Sequence, residues 1–425
     1  MNAFDTAAVL IAVAALTGYI NHRVLKLSAT TGTLAVALIS SLIIVIADAA
    51  MPGWELRAVL TGFLGGIDFN EALMHGMLCF LLFAGSLHID LEGLLEHKWT
   101  IAALATIGLL LSTLVVGSFT WWILGLIGVE VPFVVCLVFG SLISPTDPIA
   151  VMGLLKELNA PKSLGAQIAG ESLFNDGIAV VVFFALVSVA GLSAAGEAEV
   201  VRVSAGGLAS FFTQEVAGGA VLGLGSGYVG YRALKSIDDH SLELLITLAL
   251  VMFVYTMSFW IHVSGPIAVV LAGLLIGNSG RTFAMSDRTR EHVDGFWQML
   301  DEILNAVLFL LIGLEVFAVF GGLETVAASF VLVPIVLIAR FVAVSVPIAA
   351  MSLRGPYRRG IVPILTWCGL RGGISVAMML SLPAFPGRDH LLACTYTVVV
   401  FSILVQGLTV RRVLVYYGIG DPSAR

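Results

Sequence analysis

The sequence predicts an all-α polytopic membrane protein of thirteen transmembrane helices. Three observations carry that prediction. The 425 residues are 59% hydrophobic and 12% charged, with a mean hydropathy of +1.03, whereas a soluble domain carries about 25% charged residues. The apolar residues fall in runs that match the roughly 20 residues needed to cross a bilayer. The basic residues gather in alternate connections between those runs. No sizeable soluble domain fits this composition, and no nucleic-acid partner is expected. The net charge of −7 says little, because the distribution of Lys and Arg matters more than their sum. Cys79, Cys136, Cys368 and Cys394 lie singly in separate apolar segments, which indicates neither a disulfide framework nor a zinc site.

The first segment, near residues 5–21, follows no basic region and no small-residue cleavage site, so it reads as a retained membrane helix. The second runs near 29–49. Pro52, Gly53, Gly65 and Gly66 make 50–71 an external loop or interfacial piece. The third and fourth segments lie near 72–89 and 99–127. The fifth, 131–156, carries Ser144-Pro145-Thr146-Asp147-Pro148 at its middle. Asp147 between two prolines cannot belong to a regular helix. The sixth, 163–190, holds Glu171-Ser172-Leu173-Phe174-Asn175-Asp176 inside an otherwise apolar run.

In the seventh, 208–233, Gly219, Gly223 and Gly227 recur every four residues, a pattern for close helix packing. Its Gly225-Ser-Gly227-Tyr-Val-Gly230 matches a dinucleotide fingerprint, but that motif needs a preceding strand in a soluble βαβ unit. The eighth, the short ninth, the tenth and the eleventh lie near 241–262, 264–279, 294–320 and 323–350. The twelfth, 359–384, is broken by Gly369-Leu370-Arg371-Gly372-Gly373, and the thirteenth runs near 389–415.

The positive-inside rule orients this series. With the N-terminus outside, the inner connections collect Arg23, Lys26, Lys98, Lys156, Lys162, Arg232, Lys235, Arg281, Arg288, Arg290, Arg354, Arg358, Arg359, Arg411, Arg412 and Arg425. The outer ones keep only Arg57, Arg202 and Arg388, and Arg340 and Arg371 lie inside spans. The C-terminus is then cytoplasmic and the protein a multi-pass protein of the cell's inner membrane. The charged run Arg281–Asp301 reads as a solvated helix entry that can contribute to a cation funnel. The eight histidines fall mostly near helix ends or in loops, where solvated or capping roles suit them.

Thirteen helices divide as six, one and six, so helices 1–6 and 8–13 form an inverted repeat. The interrupted fifth and twelfth segments then correspond, and interrupted segments at matching positions point to a transport site. Backbone groups freed by such breaks are tolerated at membrane depth only when they line a cavity.

Each ionised acid at a helix centre costs about 2.5–3.5 kcal/mol or more and marks an ion or proton path by default. Ser172 and Asp176 share a face, with Asn175 beside it, while Glu171 points elsewhere. A freed carbonyl such as that of Thr146, together with Asp147, Asp176, Ser172 and Asn175, offers an all-oxygen site. That donor set suits Na⁺, Li⁺ or K⁺ rather than a transition metal. A carboxylate that holds either a proton or a cation gives exchange by competition. A buried polar network that only specifies packing is the bland alternative. Arg340, alone in Val336–Ala343, needs a partner, and Glu171 is the candidate; snorkelling to an interface is the other reading. Arg371 either offsets charge at the twelfth-segment break or is structural.

Taken together, Thr146-Asp147-Pro148-Ile149-Ala150-Val151, Gly170–Gly177, Asn305–Gly313, Ala339-Arg340 and Gly369–Gly373 resemble the monovalent cation/proton antiporters of the bacterial NhaP and eukaryotic sodium/proton exchanger type. The resemblance covers essentially the whole chain. It implies crossed broken helices, a homodimer and elevator-like alternating access. It implies a core ion-transport bundle of 99–190 and 323–415, a dimerisation and scaffold bundle of 1–89 and 241–320, and a linker helix at 208–233. The aspartate matching Asp176 carries cation and proton, and the preceding Asn175 goes with electroneutral one-for-one exchange. Glu171 and Arg340 match a stabilising ion pair. Where many bacterial relatives carry an acid in the third helix, this chain has Ala84, and the long tail of eukaryotic members is absent. Sodium/proton antiport without a cofactor is therefore expected. A potassium/proton antiporter, a passive cation channel and, in a different class, an intramembrane aspartyl protease using two aspartates remain as alternatives.

Overall fold

A computed structural model describes residues 3–50, 62, 76–192, 205–280, 285–319, 323–353 and 357–420. The described residues are helical throughout, with one isolated backbone bridge, Asp147 to Leu370. Most of the 50–71 connection lies outside them, as do Arg57, Arg202, Arg281, Arg354 and Arg425 from the charge pattern.

In chain order the helices are α1 (Ala3–Ile20), α2 (Ala29–Ala50), α3 (Leu78–Leu87), the short α4 (Leu91–Glu96), α5 (Lys98–Leu126), α6 (Phe133–Ile143), α7 (Ile149–Glu157) and α8 (Lys162–Ala190). They continue as α9 (Ala205–Leu234), α10 (His240–Trp260), α11 (Gly265–Gly280), α12 (Asp287–Val319), α13 (Leu323–Ser352), α14 (Ile361–Cys368), α15 (Gly373–Leu380) and α16 (Arg388–Tyr416). Eight helices among the described residues are long and apolar enough to cross a membrane, and α3, α6 and α11 are shorter apolar helices. The chain is thus a multi-pass membrane protein. Large apolar side chains such as Val221, Phe330 and Ile46 stand on its periphery more than half exposed, the surface that lipid covers.

Local chemistry sets the helix starts. Asp239 caps α10 by accepting from the amides of Ser241 and Leu242 at 2.9 and 3.1 Å. Ser264 caps α11, whose first turn holds Pro266, a residue that forgoes no helical hydrogen bond there. α8 stops at Gly191, which adopts φ +68°, the left-handed C-terminal turn that glycine makes without strain.

The helix contacts fall into two groups. In one, α12 packs on α2 and α3, α3 on α11, and α9 and α10 on α11. Trp297 of α12 is fully buried, packs at a tilt against Phe83 of α3 with ring centroids 4.7 Å apart, and donates to the hydroxyl of Thr247 of α10 at 3.0 Å. The seventh-segment glycines do serve helix packing. A Cβ on Gly223 would stand 2.3 Å from the carbonyl oxygen of Ala268, so α9 lies backbone to backbone on α11. In the other group, α5 packs on α6 and α13, α13 on α16, and α8 on α6. The two interrupted segments, α6–α7 and α14–α15, pack among this second group, with α8 against α6, α7 and α15, and α12 against α15.

Candidate functional site

The site begins where both interrupted segments lose their helix. α6 ends at Ile143 and α7 starts at Ile149; α14 ends at Cys368 and α15 starts at Gly373. The two breaks cross and bond to each other. The Asp147 amide donates to the carbonyl of Leu370 at 2.7 Å. The Arg371 guanidinium, fully buried, donates to the carbonyls of Ser144 and Pro145, the latter at 2.9 Å. These are orphan carbonyls at the end of α6, where the helix dipole is negative, and a cation there is favourable. Both readings of Arg371, charge compensation and a structural tie, are compatible with this contact. Its backbone amide is held by Ser402 of α16 at 2.8 Å, and Ser402 in turn donates to Gln406 at 2.7 Å.

Asp147 is fixed within this crossing. Its Oδ1 accepts from the amide of Ile149 at 2.9 Å, a local turn that also caps the start of α7. Gly372 abuts its other side. A Cβ there would come within 2.5 Å of Asp147 Oδ2, so only glycine lets the α15 break approach the carboxylate.

α8 supplies the rest. Glu171, Ser172, Asn175 and Asp176 are all buried. Ser172 donates to the carbonyl of Thr146, so the predicted hydroxyl and carbonyl ligands already touch. Asp176 lies within electrostatic reach of Asp147. The side-chain oxygen of Asn175 is buried and has no hydrogen-bond partner, an acceptor left open beside Asp176. Glu171 takes Arg340 of α13 in a two-pronged ion pair, with the second contact at 3.0 Å, and Arg340 also donates to the carbonyl of Leu365 in α14 at 3.0 Å. The pair therefore ties α8 and α13 to the broken segment.

One detail differs from the helical-face argument. Glu171 and Arg340 line the same small cavity as Thr146, Asp147 and Ser172. The side chains diverge around α8, but Leu365 and Gly369 draw Arg340 back toward the break. Ala84 is buried in α3 and brings no carboxylate to the crossing. Among the described residues no group of three or more His, Cys, Asp or Glu side chains is arranged to hold a metal ion; the candidate donors are mixed carboxylates, hydroxyl and carbonyls. The partners that residue types did not signal are main-chain carbonyls, those of Leu370, Leu365 and Pro145, and the serine at 402 inside an apolar run.

Residues 10–416 match the family model described as sodium/hydrogen exchanger, transmembrane. The chain is 45% identical over 423 residues to the Na⁺/H⁺ antiporter NhaP of Pseudomonas aeruginosa, covering 98% of each. It is 34% identical to the Na⁺/H⁺ antiporter NhaH of Halobacillus dabanensis, over 81% of this chain and 83% of the relative. Its fold is similar to the solved structure of the sodium proton antiporter MjNhaP1 from Methanocaldococcus jannaschii at pH 8, with a TM-score of 0.73 over 97% of each chain at 16% identity.

Proposed function

The chain belongs to the sodium/hydrogen exchanger family, and on that premise we propose that it is a secondary antiporter exchanging Na⁺, and Li⁺ as a close mimic, for H⁺ across the cell membrane. Members of this family are transporters rather than enzymes, which removes the protease alternative. Asp176 is the carrier. It holds either the cation or a proton, with Asp147, the Thr146 carbonyl, Ser172 and Asn175 as its oxygen neighbours. Because one carboxylate cannot hold both, the two cargoes compete and their fluxes are coupled.

The observation that carries this reading is the bonded crossing of the two breaks beside Asp176. A crossing built from freed backbone and carboxylates at membrane depth is costly unless it binds something. Arg371 and the Glu171–Arg340 pair hold the crossing in shape and leave Asp147 and Asp176 for the cargo.

The architecture that goes with this function is thirteen membrane passes, N-terminus outside and C-terminus cytoplasmic, in two inverted six-helix repeats. Residues 99–190 and 323–415 form the moving core, 1–89 and 241–320 the scaffold through which two copies dimerise, and 208–233 the link between repeats. Support comes from the packing of both breaks among α5, α6, α8, α13 and α16, with α12 seated on α2 and α3. Sliding of the first group against the second gives elevator-like access.

The test is exchange in reconstituted vesicles, reading internal pH after adding Na⁺, Li⁺ or K⁺ outside. Na⁺ and Li⁺ are expected to drive proton efflux, and Asp176→Asn to abolish it while the variant remains folded. Proton flux on Na⁺ addition in Asp176→Asn overturns the carrier assignment. A response to K⁺ alone overturns the cation assignment.

A further inference from the structure

We propose that the hydrogen bond from Tyr396 of α16 to Glu315 of α12 is a latch across the seam between the two helix groups, which holds the antiporter with the outer end of that seam closed. The inference rests on the antiport reading above, with its sliding groups, and names a contact that breaks once in each cycle.

Glu315 follows the apolar run Ala306–Leu314, and the exchange chemistry makes no use of it. An acid at that depth needs a partner. It finds one outside its own group, because the Tyr396 hydroxyl donates to Glu315 Oε2. Each end of the bond is mounted firmly on its own side. On α12, the neighbouring Leu314 carbonyl accepts from Ser41 of α2 at 3.1 Å, and a Cβ on Gly313 would stand 2.5 Å from the Cβ of Ala37. α12 is therefore clamped to α2 at the turn that presents Glu315. On α16, Cys394 meets Ser329 of α13 at 3.5 Å, and Tyr396 itself is fully buried. α16 packs on α13 and α15, so Tyr396 belongs with the group that carries both breaks.

The bond lies toward one end of the seam. α12 meets the core at Leu308, against Gly373, and about two turns later at Glu315, against Tyr396. About three turns before Leu308, Trp297 turns to Phe83 and Thr247 of its own group. With the N-terminus outside, α12 runs outward and α16 inward, so Glu315 and Tyr396 close the outer end. Arg388, at the start of α16, donates to the carbonyls of Leu382 and Leu380 at 3.1 and 3.4 Å, and the tyrosine hydroxyl is the donor that crosses the seam. Two groups that slide past each other do not keep such a bond, so it favours the one state in which it forms.

Right-side-out and everted membrane vesicles holding the full-length protein give the KM for Na⁺ at its outer and inner faces separately. A latch at the outer end lowers the fraction able to bind Na⁺ from outside, and apparent affinity there falls with that fraction. Tyr396→Phe keeps the ring and removes the donor. It is expected to lower the ratio of outer to inner KM about tenfold, the factor that one net hydrogen bond supplies. Glu315→Ala is expected to lower the ratio equally and the double variant no further. Glu315→Gln, which still offers an acceptor, is expected to stay near the unsubstituted ratio. A bond that is only structural lowers the protein level or the maximal rate and leaves the ratio alone. An unchanged or raised ratio in active Tyr396→Phe overturns the latch, as do additive shifts in the double variant. Loss of all flux in both single variants marks the bond as structural and overturns it too. Absence of any Na⁺-driven flux in the unsubstituted protein overturns the antiport reading itself, and the latch with it.

Discussion

Glu171 and Arg340 are each buried and each other's main partner. Removing one side of such a pair strands a charge in a low dielectric and costs about 3–5 kcal/mol. Glu171→Gln and Arg340→Ala are therefore expected to lower thermal stability strongly, and the double variant to lose less than the sum, by a coupling of about 0.5–3 kcal/mol. Thermal unfolding of the four proteins in detergent measures this, and simple additivity rejects the partnership. The shared cavity sharpens the test. If Glu171→Gln is stable but no longer protected by Na⁺, Glu171 belongs with the cargo rather than the frame. A second substitution probes Asp147 through its neighbour. Gly372 has φ −116° and ψ −165°, extended backbone open to any residue, so Gly372→Ala acts by contact alone. Its Cβ would displace the Asp147 carboxylate. Overpacking of this kind costs about 1–3 kcal/mol, so the variant is expected to fold yet show a sharply reduced exchange rate. Wild-type exchange by Gly372→Ala means that the carboxylate position is not critical.

The helices themselves were legible wherever side-chain chemistry writes the rule. Pro145 and Pro148 announced the break before α7, the Gly369–Gly373 run announced the one before α15, and the four-residue spacing of Gly219, Gly223 and Gly227 announced the face of α9 that meets α11. The pairing of Glu171 with Arg340 followed from the cost of a lone buried charge. What stayed hidden was held by main chain. No residue type signals that the Leu370 carbonyl receives the Asp147 amide, or that Arg371 reaches back to Ser144 and Pro145. Those contacts join segments more than 200 residues apart, and only the crossing of two breaks brings them together. The same holds for Glu171, which helical geometry turned away from Ser172 but which the path of Arg340 toward Leu365 returns to the same cavity.

At the level of the full transport cycle, the stoichiometry turns on what stands next to Asp176. Asn175 occupies that place with a buried, unpartnered side-chain oxygen. An amide contributes a ligand oxygen but releases no proton, so under the proposed mechanism Asp176 alone trades one H⁺ for one Na⁺. The exchange is then predicted to move no net charge. A cycle carrying one net charge would feel about 2.3 kcal/mol for each 100 mV across the membrane, a bias of roughly fortyfold in its equilibrium. Initial rates and final pH gradients measured with and without an imposed diffusion potential distinguish the two cases. Equal values are expected for the natural sequence. Asn175→Asp places a second titrating group in the same position, and a potential dependence that appears only in that variant ties the stoichiometry to this one side chain. A strong dependence already present with Asn175 contradicts one-for-one exchange and requires a second proton carrier, for which Asp147, whose carboxylate accepts at Oδ1 from the Ile149 amide, is the nearest candidate.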